Sequence, residues 1–179
     1  MRTSSPNICA PAGGTKLSRS QSKGSYYAPT RNARSGADAL VNQDLPDFEP
    51  TPPCVAGPAL NTRPVAIITT AGLHRSKDPT FTPGVGEYRI IPSDIDMDDL
   101  VISHVSTNFD RAGYIQDLNL LFPIARLREP EAGAEIGSVA SYHYAFMGAT
   151  PPMAMEAVAK DLAANLKEDG VGGLILAGV

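Results

Sequence analysis

The stretch "TPPMAMEAVAKDLAANLKEDGVGGLILAGV", Thr150 to Val179, constrains the fold more than any other part of the chain. Met155, Val158, Ala159, Leu162 and Leu166 recur at helical spacing and make one apolar stripe. Thr150 is placed to cap this helix and Pro151 to take its first position, where a missing N–H costs nothing. Glu156 and Lys160 stand four residues apart in the favourable order. Gly170 suits the left-handed turn that ends a helix. The uncharged run "GGLILAGV" follows at once, a strand of the kind buried on both faces in the middle of a parallel sheet. A helix feeding such a strand is the second half of a right-handed βαβ crossover.

Further elements are legible upstream. "PVAIITT" (Pro64–Thr70) reads as a buried β-branched strand, with Gly72 turning the chain after it. "SKDPTFTPGVG" (Ser76–Gly86) is Pro- and Gly-rich loop. "EYRIIP" and "DLVISH" read as two more strands, joined by an acidic, solvated connection. "FPIARLRE" suits a short helix that Pro130 stops, and "GSVASYHYAF" a short strand plus loop. The fold class is α/β, Rossmann-like, with a mostly parallel sheet and flanking helices. It reads as incomplete at the C-terminus. A central strand normally leads into a loop that carries chemistry, and nothing in the sequence covers the second face of "GGLILAGV".

The N-terminal part has a different character. Residues 1–36 hold six Lys or Arg, seven Ser and no Asp or Glu, with no apolar period. Such a segment buries too little surface to offset the entropy of ordering. It is read as a disordered, dispensable leader over residues 1–47, ahead of an α/β part over 48–179; an Arg- and Ser-rich, acid-free start also fits an organelle transit peptide. There is no apolar core for a secretory signal and no membrane span. Net charge is −4 and pI about 5.3, which gives no whole-chain electrostatic case for nucleic acid. Cys9 and Cys54, the two cysteines, have neither metal-like spacing nor a disulfide framework, so a reducing, cytoplasmic setting is the default.

Three histidines are the candidates for proton chemistry. His74 follows the first strand and His104 the "DLVIS" strand. His143 lies near another strand end, so all three are candidate rim residues. Each imidazole serves equally well as a strand-end cap bonded to backbone. Their separations match no compact zinc motif, and no metal site is expected. Asp110, Arg111 and Asn119 in "NFDRAGYIQDLN" are candidate substrate-binding residues, with Asp110 and Arg111 able to pair with a zwitterionic amino acid. A solvated loop with Asp110 as a helix cap is the alternative. No dinucleotide fingerprint, P-loop or nucleophile elbow occurs.

Together "TTAGLH", "FTPGVGEYRIIP", "DLVISHVSTNFDRAGYIQDLNLLFPIARLRE", "IGSVASYHYAFMGAT" and "LKEDGVGGLILAGV" resemble the selenoprotein B family of glycine, sarcosine, betaine and D-proline reductases, over roughly Phe48 to Val179. The resemblance implies an oxidoreductase subunit for reductive C–N bond cleavage of an amino acid or amine. Its partners would be other reductase subunits, one of them bearing a pyruvoyl group, and a thioredoxin-like dithiol reductant. It also implies a selenocysteine-x-x-cysteine or all-cysteine motif directly after the strand resembling "GGLILAGV". The nucleophile is then expected just after Val179, and the chain by itself, ending at a misread UGA codon, is expected to be inactive and marginally stable. The competing reading is a non-catalytic binding or subunit-assembly module.

Overall fold

The computed structural model describes residues 41–47, 56–106 and 112–179. The chain divides between Ala56 and Gly57. Of the N-terminal unit, residues 41–47 and Ala56 are described and are largely exposed; the rest of the expected leader lies outside the described residues, as do Asp110 and Arg111.

The second unit is a mixed α/β fold. Seven strands are described: β1 (Pro64–Thr69), β2 (Leu73–Arg75), β3 (Tyr88–Pro92), β4 (Leu100–Ile102), β5 (Ser138–Val139), β6 (Tyr142–Phe146) and β7 (Gly173–Ala177). Three α-helices accompany them: α1 (Ala112–Gln116), α2 (Ile124–Ala132) and α3 (Pro152–Glu168). β1 is the centre of the main sheet. β5 and β6 pair with it in parallel on one side, and β7 in parallel on the other. β3 closes the β6 side in antiparallel register.

Side chains alternate across β1. Ala66 and Ile68 face α3, where Leu162 and Leu166 meet Tyr144, Phe146 and Ala140. Val65 and Ile67 face the other way, into a core built on Phe122, Ile124, Leu127, Leu73 and Ile91. The sheet is therefore covered by α3 on one face and by the segment around α2 on the other.

Several expectations are corrected. Among the described residues β7 pairs with β1, and Leu174 and Leu176 stay 48% and 73% exposed, so the face that the sequence leaves without cover is open. Their register with Ala66 and Ile68 puts them on the α3 face. Helix α3, however, sits over β1, β6 and β3 rather than β7. The "DLVISH" strand does not join the main sheet. β4 pairs antiparallel with β2 in a separate ribbon, because the turn at Gly72 (φ 67°) sends the chain straight out of β1 into β2.

Pro130 does not stop α2, which runs on to Ala132. Pro130 sits in the last turn, and its own carbonyl still accepts from Glu135 (2.8 Å), so one missing N–H is tolerated there. Thr150 does not cap α3. Its hydroxyl reaches the Val85 carbonyl at 3.5 Å, Pro151 holds the cap position without a side-chain bond, and Pro152 begins the helix. Ala159 is exposed rather than part of the buried stripe.

The other end of α3 is as expected. Val171 N donates to Leu166 O at 2.9 Å and Gly170 N to Lys167 O at 3.1 Å, the paired bonds of a Schellman motif. Lys160 donates to Glu156 at 2.6 Å.

Candidate functional site at the carboxyl end of the parallel strands

In open parallel sheets, ligands gather outside the carboxyl ends of the strands. Here β1, β6 and β7 end together. Thr70 N donates to Ala177 O (3.1 Å), Gly148 N to Thr70 O (2.8 Å) and Gly72 N to Phe146 O (2.8 Å). The Thr70 hydroxyl accepts from Val179 N at 2.9 Å and so ties the segment after β7 to the end of β1.

His104 completes this edge. It is buried, and its Nδ1 accepts from Ser106 N at 3.2 Å, which leaves the ring proton on Nε2. Gly148 is what admits that nitrogen. A Cβ on Gly148 would lie 2.9 Å from Thr70 O, 3.1 Å from Val179 O and 3.2 Å from His104 Nε2. The imidazole and the end of β7 therefore converge on one point, with no side chain between them.

His74 belongs to the same end of the sheet but points elsewhere. It lies in β2, buried against Phe81, whose ring is stacked in turn by the Arg89 guanidinium at 4.6 Å. Its Nε2 is 2.5 Å from Ser103 Oγ. Ser103 thus turns to His74 while the next residue, His104, turns to Gly148. Arg89 also binds the carbonyls of Pro79 and Thr80 and pairs with Glu87 at 3.1 Å, which pins the Pro- and Gly-rich loop beside the ribbon. The Arg89 guanidinium holds the Glu87 carboxyl below its usual range.

His143 does not reach this edge. It is fully buried at mid-strand, where its ring packs edge-on to Phe122. Between the pairs Val65↔Val139 and Ile68↔Tyr144 the β5–β6 segment carries two residues more than β1. The His143 Nδ1 fills the gap in the ladder by accepting from Ile67 N at 3.0 Å. Burial, and after it the charge of Arg128, pushes its pKa down to about 4. The ring is a neutral part of the sheet.

Asn119 is committed to local structure. Its Oδ1 accepts from Ala125 N (3.1 Å) at the start of α2, and its amide donates to Asp117 (2.9 Å). A hollow of about 200 Å3 lies at the opposite, amino end of the sheet, lined by Pro64, Ser138, Ser141, Tyr142, Asp169 and their neighbours. It brings together no set of nucleophile, base and donor, so the chemistry and not the hollow locates the candidate site. No group of residues able to hold a metal ion is found among the described residues. No helix among them is long and apolar enough to cross a membrane.

The structure places His104 at the strand-end edge where the sequence put it, beside Thr70, Ser103 and Gly148, which the sequence did not single out. The signal available for them was small residues placed directly after an aliphatic run, in "IITTAG", "VISH" and "AFMGA".

Fold and site define an α/β protein with an imidazole at the carboxyl edge of a mainly parallel sheet. The sequence matches the glycine/sarcosine/betaine reductase selenoprotein B family over residues 35–179, and the chain belongs to that family. It is 32% identical to the D-proline reductase subunit gamma of Acetoanaerobium sticklandii, over 70% of this chain and 54% of the relative. It is 28% identical to the glycine reductase complex component B subunit gamma of Carboxydothermus hydrogenoformans, over 84% of this chain and 38% of the relative. It is 26% identical to the sarcosine reductase complex component B subunit beta of Peptoclostridium acidaminophilum, over the same shares. The chain thus spans about half or less of the length of the curated relatives it matches. No solved structure matches it.

Proposed function

We propose that this chain is part of a cytoplasmic reductase subunit that cleaves the C–N bond of a small amino acid or amine of the glycine, sarcosine, betaine or D-proline kind. It works with other subunits of a reductase complex. The bond between carbon and nitrogen breaks, a C–H and an N–H bond form in its place, and a dithiol supplies the two electrons and two protons as it becomes a disulfide; the nitrogen leaves as free amine or, from a ring substrate, stays on the opened chain. The family match over residues 35–179 carries this reading.

The edge residues fit a nucleophile presented at the end of β7. A selenocysteine or cysteine there would supply a polarisable anion at neutral pH, and a pyruvoyl group on a partner subunit would hold the amine. The chain's own contribution is positional and protonic. The Thr70 hydroxyl fixes the end of β7 against β1. His104 carries a proton on Nε2 beside that end, and Gly148, where a Cβ would be crowded, lets the imidazole and the segment after β7 come together. Asp110 and Arg111 are proposed to pair with the ammonium and carboxylate of a zwitterionic substrate. His74 and His143 are backing residues.

The test is dithiol-dependent C–N cleavage of each of the four substrates by a reconstituted complex in which this sequence sits within its full-length subunit, read as amine release from glycine, sarcosine or betaine and as opening of the ring to a primary amine for D-proline. Cleavage of at least one is expected. His104→Phe should lower the rate by about 100-fold or more, the usual contribution of a positioned acid or base. Cleavage of none of the four would overturn the proposal.

A further inference from the structure

The contact between His74 and Ser103 has a geometry that the reductase reading does not use. The Arg75 carbonyl lies 2.8 Å from His74 Nδ1. A carbonyl has no proton to give, so Nδ1 is the donor, and in the neutral ring Nε2 holds the lone pair. The Ser103 hydroxyl, 2.5 Å from Nε2, must then donate its proton to that nitrogen. This is the arrangement of an activated serine: a hydroxyl bonded to an imidazole whose other nitrogen is fixed by a third group. The two partners also differ in exposure in the required sense. His74 is buried against Phe81, while Ser103 is half-buried. Ser103 is held from behind as well, its N–H donating to Gly72 O at 3.0 Å.

We propose that Ser103 is a base-activated nucleophile toward small activated acyl esters, with His74 as its general base and the Arg75 carbonyl as the group that sets the imidazole tautomer. Ser103 Oγ bonds to the acyl carbon and its proton passes to His74 Nε2. The ester C–O bond breaks, and the leaving alkoxide or phenolate takes that proton or releases to solvent unprotonated. Water then hydrolyses the acyl-serine and restores the hydroxyl. No electrons change hands, so this activity is independent of the proposed reduction and stands or falls without it.

The experiment treats the 179-residue chain with p-nitrophenyl acetate and locates the acetyl group by peptide mass spectrometry. Acetylation at Ser103 is expected in the folded protein. It should vanish in Ser103→Ala and slow by about 100-fold in His74→Gln, the typical share of general-base assistance. Should His74→Gln fail to fold, wild-type protein in urea provides the control, since it keeps the serine and loses the geometry; acetylation must then disappear on unfolding. No label on Ser103 in the folded wild type, or equal labelling in the folded, unfolded and His74→Gln proteins, would overturn the assignment.

Discussion

His143 and Gly148 show how single residues set the two ends of this problem. In the folded protein His143 must stay neutral to accept from Ile67 N, and its pKa lies near 4 against about 6.5 unfolded. Below pH 6.5 the unfolded chain takes up a proton that the folded chain refuses. Stability is therefore full above that pH and falls as pH drops toward 4, by roughly 3 kcal/mol in total. Thermal melts between pH 7 and 4.5 should show this loss, and a His143→Gln variant should lack its share of it. An unchanged slope in the variant would assign the pH dependence to other groups. Gly148 works through space instead. Its missing side chain lets His104 Nε2 and Val179 O approach one point. A single cysteine appended after Val179 should in consequence titrate below the ordinary thiol value of about 8.5, read from alkylation rate against pH. His104→Phe should return it to that value, and Gly148→Ala should disturb it. A thiol that titrates normally in all three proteins would remove His104 from the proposed mechanism. Of these two residues the histidine was visible in the sequence and the glycine was not, since a contact that requires an absent Cβ leaves no positive mark on the chain.

Elements were legible where local pattern and packing agree. Helix α3 has its stripe, its ion pair and its Gly170 terminus in the sequence, and all three are in the structure. It starts one residue later than the sequence suggests because Thr150, a good cap by type, is drawn into the turn beside Val85. β1 was equally clear from its β-branched run. β4 shows in "DLVISH", but β2 does not: a three-residue strand is too short to show a period, and the pairing of the two depends on the turn at Gly72. Pro130 was read as a stop because propensity speaks of helix interiors, whereas here it lies in a final turn whose carbonyls find other donors. The helix α2 offers a test of Asn119. Its side chain satisfies the N–H of Ala125, one of the donors that a helix start leaves unpaired. Asn119→Ala should destabilise the fold by about 1 kcal/mol, the usual value of a lost cap, while Asn119→Asp should keep most of it. Denaturant titration of the three proteins measures this. Equal midpoints for all three would free Asn119 for a role in binding.

The larger unit is a sheet covered unequally. Helix α3 and the α2 segment bury both faces of β1, but among the described residues β7 lies at the edge, and its Leu174 and Leu176 remain open on the α3 side. The aliphatic run in "GGLILAGV" suggested a strand enclosed on both faces. It records what the strand tolerates on each face and not which elements of this chain reach it; only the Ile175 side meets the core. An exposed apolar edge with free backbone N–H and C=O groups is a template for association. Leu176, 73% exposed, contributes little to the fold. Leu176→Lys should therefore change stability by no more than about 0.5 kcal/mol, as for surface positions generally, while placing on the edge the charge that natural edge strands use against pairing. Light scattering across a concentration series should show strong self-association for the wild-type chain and a marked shift toward monomer for Leu176→Lys, with thermal midpoints alike. A wild-type chain that is monomeric at every concentration, or a variant that associates as strongly, would show that the open face of β7 does not govern how this molecule meets others.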